Sequence, residues 1–181
     1  RAELRRRSVD ARHPDRIALV CTVRVELAGG EEAERRVLAD GRVRNARAAR
    51  ESPYALPARL AAPLEDRPVV VGAGSAGLFC ALALAHAGLA PLLVERGDDC
   101  ARRTDAVRIF AGGGALDPES NVQFGLGGAG TFSDGKLATG TKAPSHRLVL
   151  ETFVAGGASP DILVDSPPHV GSDVLPRVVE H

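Results

Sequence analysis

The sequence has no methionine, no tryptophan, a single tyrosine and only two lysines, Lys136 and Lys142, against 21 arginines. Aromatic residues make up 3 % of it, too few for a platform on which nucleobases stack. Neither sign of charge is in excess. The 23 basic and 23 acidic side chains cancel, which argues against a general binder of nucleic acid or anionic membrane, whose affinity rests on a basic surface. The arginine bias, together with abundant alanine, reads as a GC-rich genome and not as phosphate recognition. Cysteines are scarce as well. Cys21, Cys80 and Cys100 form no Cys-x-x-Cys pair, and an odd number suits reduced thiols in the cytoplasm better than a disulfide framework. His13, His86, His146 and His181 show no ligand spacing, so no metal is expected. No apolar signal segment opens the chain. The absence of Met at the start and an end on Val178-Val179-Glu180-His181, inside an apparent element, read as an N-terminal fragment of something longer.

What is present can fold. Of the 181 residues, 44 % are hydrophobic and 25 % charged, enough to bury a core and too ordered a mixture for disorder throughout. The zero net charge conceals a division near Arg67: residues 1–67 carry 15 basic and 11 acidic side chains, residues 68–181 carry 8 and 12. The 26 residues from Val69 to Val94 bear no charge and imitate a membrane span, but Gly72, Gly74, Gly77, Gly88 and Pro91 cut them into three pieces, so no span is expected.

The chain reads as three regions. Residues 1–51 form a small, incomplete α+β piece: a polar, Arg-rich stretch over 1–16, a long strand from Ile17 to Leu27, and a segment from Ala33 to Val43 that fits either a strand or a short helix. Residues 52–67 carry Pro53, Pro57 and Pro63 and form a linker. In 68–181 the pattern changes. A short buried strand at Val69–Val71, a helix from Gly77 to Ala87 with Leu78, Ala81, Leu82 and Ala85 on one face, and a strand at Leu92–Val94 make a βαβ unit with parallel strands. Helices are expected over Asp98–Phe110 and Ser145–Ala155, and another begins at Asp173–Pro176. Between them, residues 112–141 hold nine glycines in 30 positions, a long loop of the kind that is uncommon without a function.

Gly72-Ala73-Gly74-Ser75-Ala76-Gly77 falls at the joint of strand and helix, the context that a G-x-G-x-x-G motif needs to mean dinucleotide binding. Gly72 permits the tight turn, Gly74 lets a diphosphate reach the backbone, and Gly77 lets helix and strand pack closely. The helix N-terminus offers free N–H groups and partial positive charge, so no Lys or Arg is required. Glu95, 18 residues after Gly77, is placed to accept hydrogen bonds from ribose hydroxyls and would repel a 2′-phosphate. The rival reading is a chance glycine pattern in an ordinary βαβ unit. A second signal is the run Asn121 to Leu137, whose glycines let main chain lie flat on a large planar ligand and whose Thr131, Ser133 and Asp134 can supply hydrogen bonds. The rival there is a mere flexible loop.

The stretch from Leu116-Asp117-Pro118-Glu119-Ser120 through Leu137, with Glu95-Arg96-Gly97, Tyr54-Ala55-Leu56-Pro57 and Pro168-His169-Val170-Gly171-Ser172-Asp173, resembles the bacterial NAD(P)/FAD-dependent oxidoreductases, FAD-dependent dehydrogenases of uncharacterised substrate. The resemblance implies an α/β fold, a Rossmann-like FAD-binding core with a parallel sheet and a small N-terminal β-containing subdomain. It implies FAD as cofactor, with NAD(P)H as a candidate electron donor and a small molecule as substrate. It places Gly72, Gly74, Gly77 and Glu95 at the ADP half and Gly127, Gly128, Thr131, Ser133 and Gly135 towards the flavin, and Ser75, Ala76 and Arg96 are expected to bind the cofactor as well. Ser75 stands where the family has Pro, Leu126 stands where it has an acidic residue, and its members are much longer.

Several weaker candidates fit plain structural roles as well. Cys80, in the first helical turn, suits packing on the sheet better than redox chemistry, and Cys100 follows Asp98-Asp99, which disfavour a thiolate. Lys136 fits either positive charge near the flavin or a solvated loop, and Arg102-Arg103 fits either a phosphate contact or a helix cap. For His169 a structural hydrogen bond is favoured over catalysis. No catalytic acid or base stands out. The expected function is flavin-dependent oxidation–reduction by hydride transfer in the full-length form. The alternatives are a flavin-free NAD-binding dehydrogenase and a non-catalytic truncated FAD-binding fragment.

Overall fold

The structure, a computed structural model, describes residues 1–50, 54–61, 64–139, 141 and 143–181. Pro53 and Pro63 of the expected linker, and Gly140 and Lys142 of the glycine-rich region, lie outside the described residues.

The chain opens with an antiparallel hairpin, β1 (Ala2–Asp10) and β2 (Ala18–Val25), with an irregularity between Leu4 and Arg6. The sequence reads residues 1–16 as a polar stretch, and here the structure corrects it. β2 is exposed along its whole length, and β1 is only partly covered. A strand open to solvent on both faces needs no apolar alternation, so its pairing partner defines it and its own pattern does not. The segment after the hairpin is helical, as α1 (Gly30–Ala39).

The βαβ unit consists of β3 (Val69–Val71), α2 (Ser75–His86) and β4 (Leu92–Val94), with β3 and β4 parallel in the register Val69↔Leu92, Val70↔Leu93 and Val71↔Val94. The uncharged run thus divides into strand, helix and strand, and no helix among the described residues is long and apolar enough to cross a membrane. The expected burial of β3 is only partly met. Val70 is half-buried, while Val69 and Val71 point to the other face and are exposed, Val71 at 84 %. α2 covers one face of a sheet that has two strands, so alternate residues of β3 stay open. On α2 itself Leu78 and Ala81 are half-buried, whereas Leu82 and Ala85 are exposed. The chain entering β3 is fastened to the exit of α2: the Arg67 guanidinium donates to the carbonyls of Ala90 at 2.7 Å and Pro91 at 3.1 Å, and Leu60 N–H donates to Ala87 O at 2.9 Å.

α3 (Cys100–Ala111) starts at Asp99, whose carboxylate accepts from Arg102 N–H at 2.9 Å. This is a side-chain cap of the usual kind. A long irregular segment follows, with one 3-10 turn at Gly128–Phe132. Then come α4 (Ser145–Ala155), a second 3-10 turn at Pro160–Leu163, and α5 (Leu175–Glu180). The buried apolar cluster lies among these last elements: Ala158, Ile162, Val170 and Leu175, with Leu150 and Phe153 packed against it. Phe153 also meets Phe79 of α2, ring centroids 6.1 Å apart, which joins this cluster to the βαβ unit. The hairpin joins on the same side. Arg7 N–H donates to Val164 O at 2.7 Å, Ser166 N–H donates to Arg7 O at 2.9 Å, and the Arg7 guanidinium pairs with Asp165 at 2.7 Å.

Candidate functional site

The site is built from a turn that only small residues can form. Leaving β3, the chain reverses at Gly72, whose φ of +94° is a conformation that L side chains rarely adopt. Gly72 N–H donates to Val94 O at 2.7 Å, which fixes the turn to the end of β4. Gly77 sits on the other side of the turn. A Cβ there would strike the Gly72 carbonyl, lying 3.0 Å from its carbon, and would also touch Val70 at 3.6 Å. Close packing of helix on strand therefore requires a glycine at this position. Gly74 is the opposite case. A Cβ built on it meets nothing within 4 Å, and the neighbouring Ser75 and Ala76 are exposed. The first turn of α2 thus opens on a free space, with the positive end of the helix dipole beside it, and no group among the described residues accepts from the Ser75 or Ala76 N–H.

Glu95 braces this turn from the end of β4. Its Oε2 accepts from Ala73 N–H at 2.6 Å and its Oε1 from Gly97 N–H at 2.9 Å. Burial is the largest single influence on its pKa and pushes it up. Hydrogen bonds from the Ala73, Gly97 and Arg96 N–H groups and the nearby Arg103 charge outweigh it and hold the carboxyl below its ordinary value. An ionised carboxylate has about four acceptor positions, so three N–H donors leave one for a hydroxyl donor.

The second glycine-rich loop is brought directly onto the first. Gly127 N–H donates to Ala73 O at 2.8 Å, and Leu126 N–H donates to Asp98 O at 3.0 Å. A Cβ on Gly128 would lie 3.1 Å from Gly74 Cα and 3.8 Å from Ser75 N, so Gly128 forms the wall opposite α2. Gly97 meets Gly125 at backbone distance and could not carry a side chain.

What holds this loop is Arg103, a fully buried side chain of α3. Its Nε donates to Asn121 O at 2.8 Å, Nη2 to Val122 O at 3.0 Å and Nη1 to Leu126 O at 2.8 Å, while its guanidinium lies 4.7 Å from the centre of the Phe132 ring. Burial lowers its pKa, against the opposing influences of Cys100 and Glu95. A guanidinium stays charged in proteins all the same. The sequence offered a phosphate contact or a helix cap for Arg102-Arg103. Arg103 instead donates to loop carbonyls, and Arg102 is exposed, its guanidinium 4.0 Å from the Asp98 carboxylate. The missed signal lies in the loop itself. A run of glycines has many carbonyls and few side chains to satisfy them, so a nearby buried arginine is the natural donor.

Gly72, Gly74, Ser75, Ala76, Gly77, Glu95, Gly127 and Gly128 come together. The side chains of the remaining expected site residues have other partners. Arg96 is exposed and pairs with Glu119. Thr131 is buried, with its hydroxyl directed at Leu126 O and at the space beside Gly127. Ser133 donates to Gly130 O at 2.8 Å and accepts from Gly135 N–H at 3.2 Å. Gly135 packs against Val170 and His169, and His169 Nε2 donates to Asp134 O at 2.6 Å, a structural bond. Lys136 is exposed and paired with Asp134 at 2.8 Å, a contact that raises its pKa and lowers that of Asp134. Leu126 contributes its carbonyl to Arg103. Cys80 is exposed, which corrects the buried packing position expected of it. Cys100 is buried, and desolvation raises its pKa, with the Glu180 charge adding to the effect. A separate groove of about 1230 Å³ between β2, α1 and residues 43–50 involves none of the glycine-loop residues.

The space above Gly74 is a cradle that a side chain would fill, walled by Gly128 and lined by helix N–H groups, with a carboxylate at the strand end. This donor set fits the diphosphate and ribose of an ADP moiety. Comparison with known proteins points the same way. Residues 67–127 match the family described as FAD binding domain. A stretch of 118 residues, 65 % of this chain, is 49 % identical to an uncharacterized protein of Clostridium beijerinckii, where it makes up 22 % of the length. The chain thus spans about a fifth of the curated relative it matches. The matched segment holds both the Gly72–Gly77 turn and Glu95, and it supports FAD as the cofactor.

Proposed function

We propose that this chain works in an FAD-dependent oxidoreductase, as the Rossmann-like part that holds the ADP half of the cofactor. The observation that carries the reading is the open cradle at Gly74, set between the N-terminus of α2 and Gly128 inside the segment that matches an FAD binding domain. In this reading the diphosphate lies over Gly74 and receives the N–H groups of Ser75, Ala76 and their neighbours. Glu95 accepts from the adenosine ribose while its other lone pairs keep the turn in place. Gly127 and Gly128 close the far side. Thr131, Ser133 and Gly135 hold the backbone that runs on from there, with Arg96 at the rim. Residues 68–181 would form the FAD-binding domain, 1–51 a small accessory piece, and 52–67 the linker between them.

When bound, the flavin supplies two-electron oxidation–reduction by hydride transfer, and the protein supplies binding, orientation and electrostatics. Helix N–H groups balance the diphosphate charge without a Lys or Arg. The substrate is a small molecule, and NADH or NADPH is the proposed electron donor. The test is anaerobic addition of NADH or NADPH to the FAD-loaded protein. Bleaching of the flavin band is the expected result. A protein that keeps NAD in place of FAD contradicts the reading.

A further inference from the structure

Two peptide groups connect Arg103 to the centre of the first glycine turn. The Leu126 carbonyl that accepts from Arg103 Nη1 at 2.8 Å shares a peptide unit with the Gly127 N–H, which donates to Ala73 O at 2.8 Å. The Ala73 carbonyl in turn shares a peptide unit with the Gly74 N–H. Both peptides are trans, so each carbonyl and N–H point in opposite directions along one line. No group among the described residues accepts from the Gly74 N–H. Hydrogen bonds in series polarise one another, and they do so most in a buried, low-dielectric setting. Here the buried end of the series is a full positive charge, since Arg103 is completely covered and the Ala73 residue is 0 % exposed.

We propose that Arg103 is a positioning residue for the cofactor diphosphate: it fixes the Leu126–Gly127 peptide on Ala73 and so orients and strengthens the Gly74 N–H as a donor. This rests on the FAD reading above. The arginine never touches the cofactor. Its fork spans carbonyls from Asn121 to Leu126, and Phe132 lies against its guanidinium, so the charge is held in one place and the loop cannot rotate its peptides away. This arrangement answers how a site with no basic side chain at the anion acquires positive potential. A cation at one remove acts through the backbone, where it cannot obstruct the approach of the ligand.

The test compares ADP with adenosine, ligands that differ by the diphosphate, by equilibrium binding to the intact protein and its Arg103→Met and Arg103→Lys variants, with FAD retention measured alongside. In Arg103→Met, ADP and FAD binding should weaken about tenfold or more, the scale of losing one charge-assisted hydrogen bond, while adenosine binding holds within about twofold. Arg103→Lys, which returns the charge without the fork, should recover part of the ADP affinity. Equal weakening of ADP and adenosine would reduce Arg103 to a structural role and overturn the proposal, as would no weakening at all. Should the variants fail to fold, amide hydrogen exchange on the unaltered protein decides. The relay requires a protected Gly127 N–H even without ligand, and fast exchange there refutes it. Unaltered protein that binds neither FAD nor ADP overturns the FAD reading as well. Binding of both with an unprotected Gly127 overturns the relay alone.

Discussion

Gly127 N–H donates to the Ala73 carbonyl at 2.8 Å, and this bond fastens the second glycine-rich loop to the first. Ala73 also donates its own N–H to Glu95. One buried peptide neighbourhood therefore couples the strand-end carboxylate, the turn before α2 and a loop far away in sequence. Each feature is ordinary alone; together they enclose the space above Gly74.

Gly77 should prove structural and not ligand-binding. In Gly77→Ala the added methyl meets the Gly72 carbonyl, a backbone group that cannot swing aside. A loss of about 1–3 kcal/mol in unfolding free energy is expected, the usual range for forced overpacking. Chemical denaturation of the two proteins measures it, and an unchanged midpoint would show that helix and strand are not in this close contact.

Glu95→Gln should change how stability depends on pH. The carboxyl's pKa is held below its ordinary value in the folded protein. Its contribution to stability is therefore complete above the unfolded value of about 4.3 and fades as pH falls through the lower folded value. The variant, with one oxygen where the original has two, leaves Ala73 or Gly97 N–H facing an amide NH2 and should be less stable near neutrality. The gap between the two proteins should narrow in acid. A gap that stays constant from neutral to acid pH would mean that Glu95 is not ionised against these N–H groups.

The C-terminal cluster should carry much of the stability without bearing on the ligand. Ile162 is 3 % exposed among Ala158, Val170 and Leu175. Ile162→Ala should cost about 2–5 kcal/mol, the range for truncating a buried aliphatic side chain. FAD affinity in the remaining folded protein should be unchanged, because no member of this cluster borders Gly74. A selective loss of FAD with normal stability would contradict this separation of roles.

The βαβ unit was legible because its signals are local. Gly72, Gly74 and Gly77 stand between an apolar run and an Ala/Leu helix, and α4 is delimited by Pro144 before Ser145 and by Gly156-Gly157 after it. β1 was not legible, since a polar, only partly covered strand carries no apolar period of its own and is set by pairing with β2. Burial of Val69 and Val71 was overestimated because an apolar run does not tell which of its faces is covered. At the site, the glycines announced the cradle, but the role of Arg103 did not show. An arginine that serves carbonyls of a distant loop looks, in sequence, like any other on a helix. Thr131 shows the converse: its residue type suggested a ligand contact, while its position under Gly127 turns it inward.

The central claim is that a diphosphate occupies the space over Gly74, and retention of FAD through gel filtration by Gly74→Val and by Gly41→Val tests it most directly. Neither added side chain meets a protein atom within 4 Å at its first carbon, so both variants should fold. The account predicts that Gly41→Val elutes with the flavin band of the unaltered protein and Gly74→Val elutes folded but colourless. A Gly74→Val protein that keeps its FAD would contradict it.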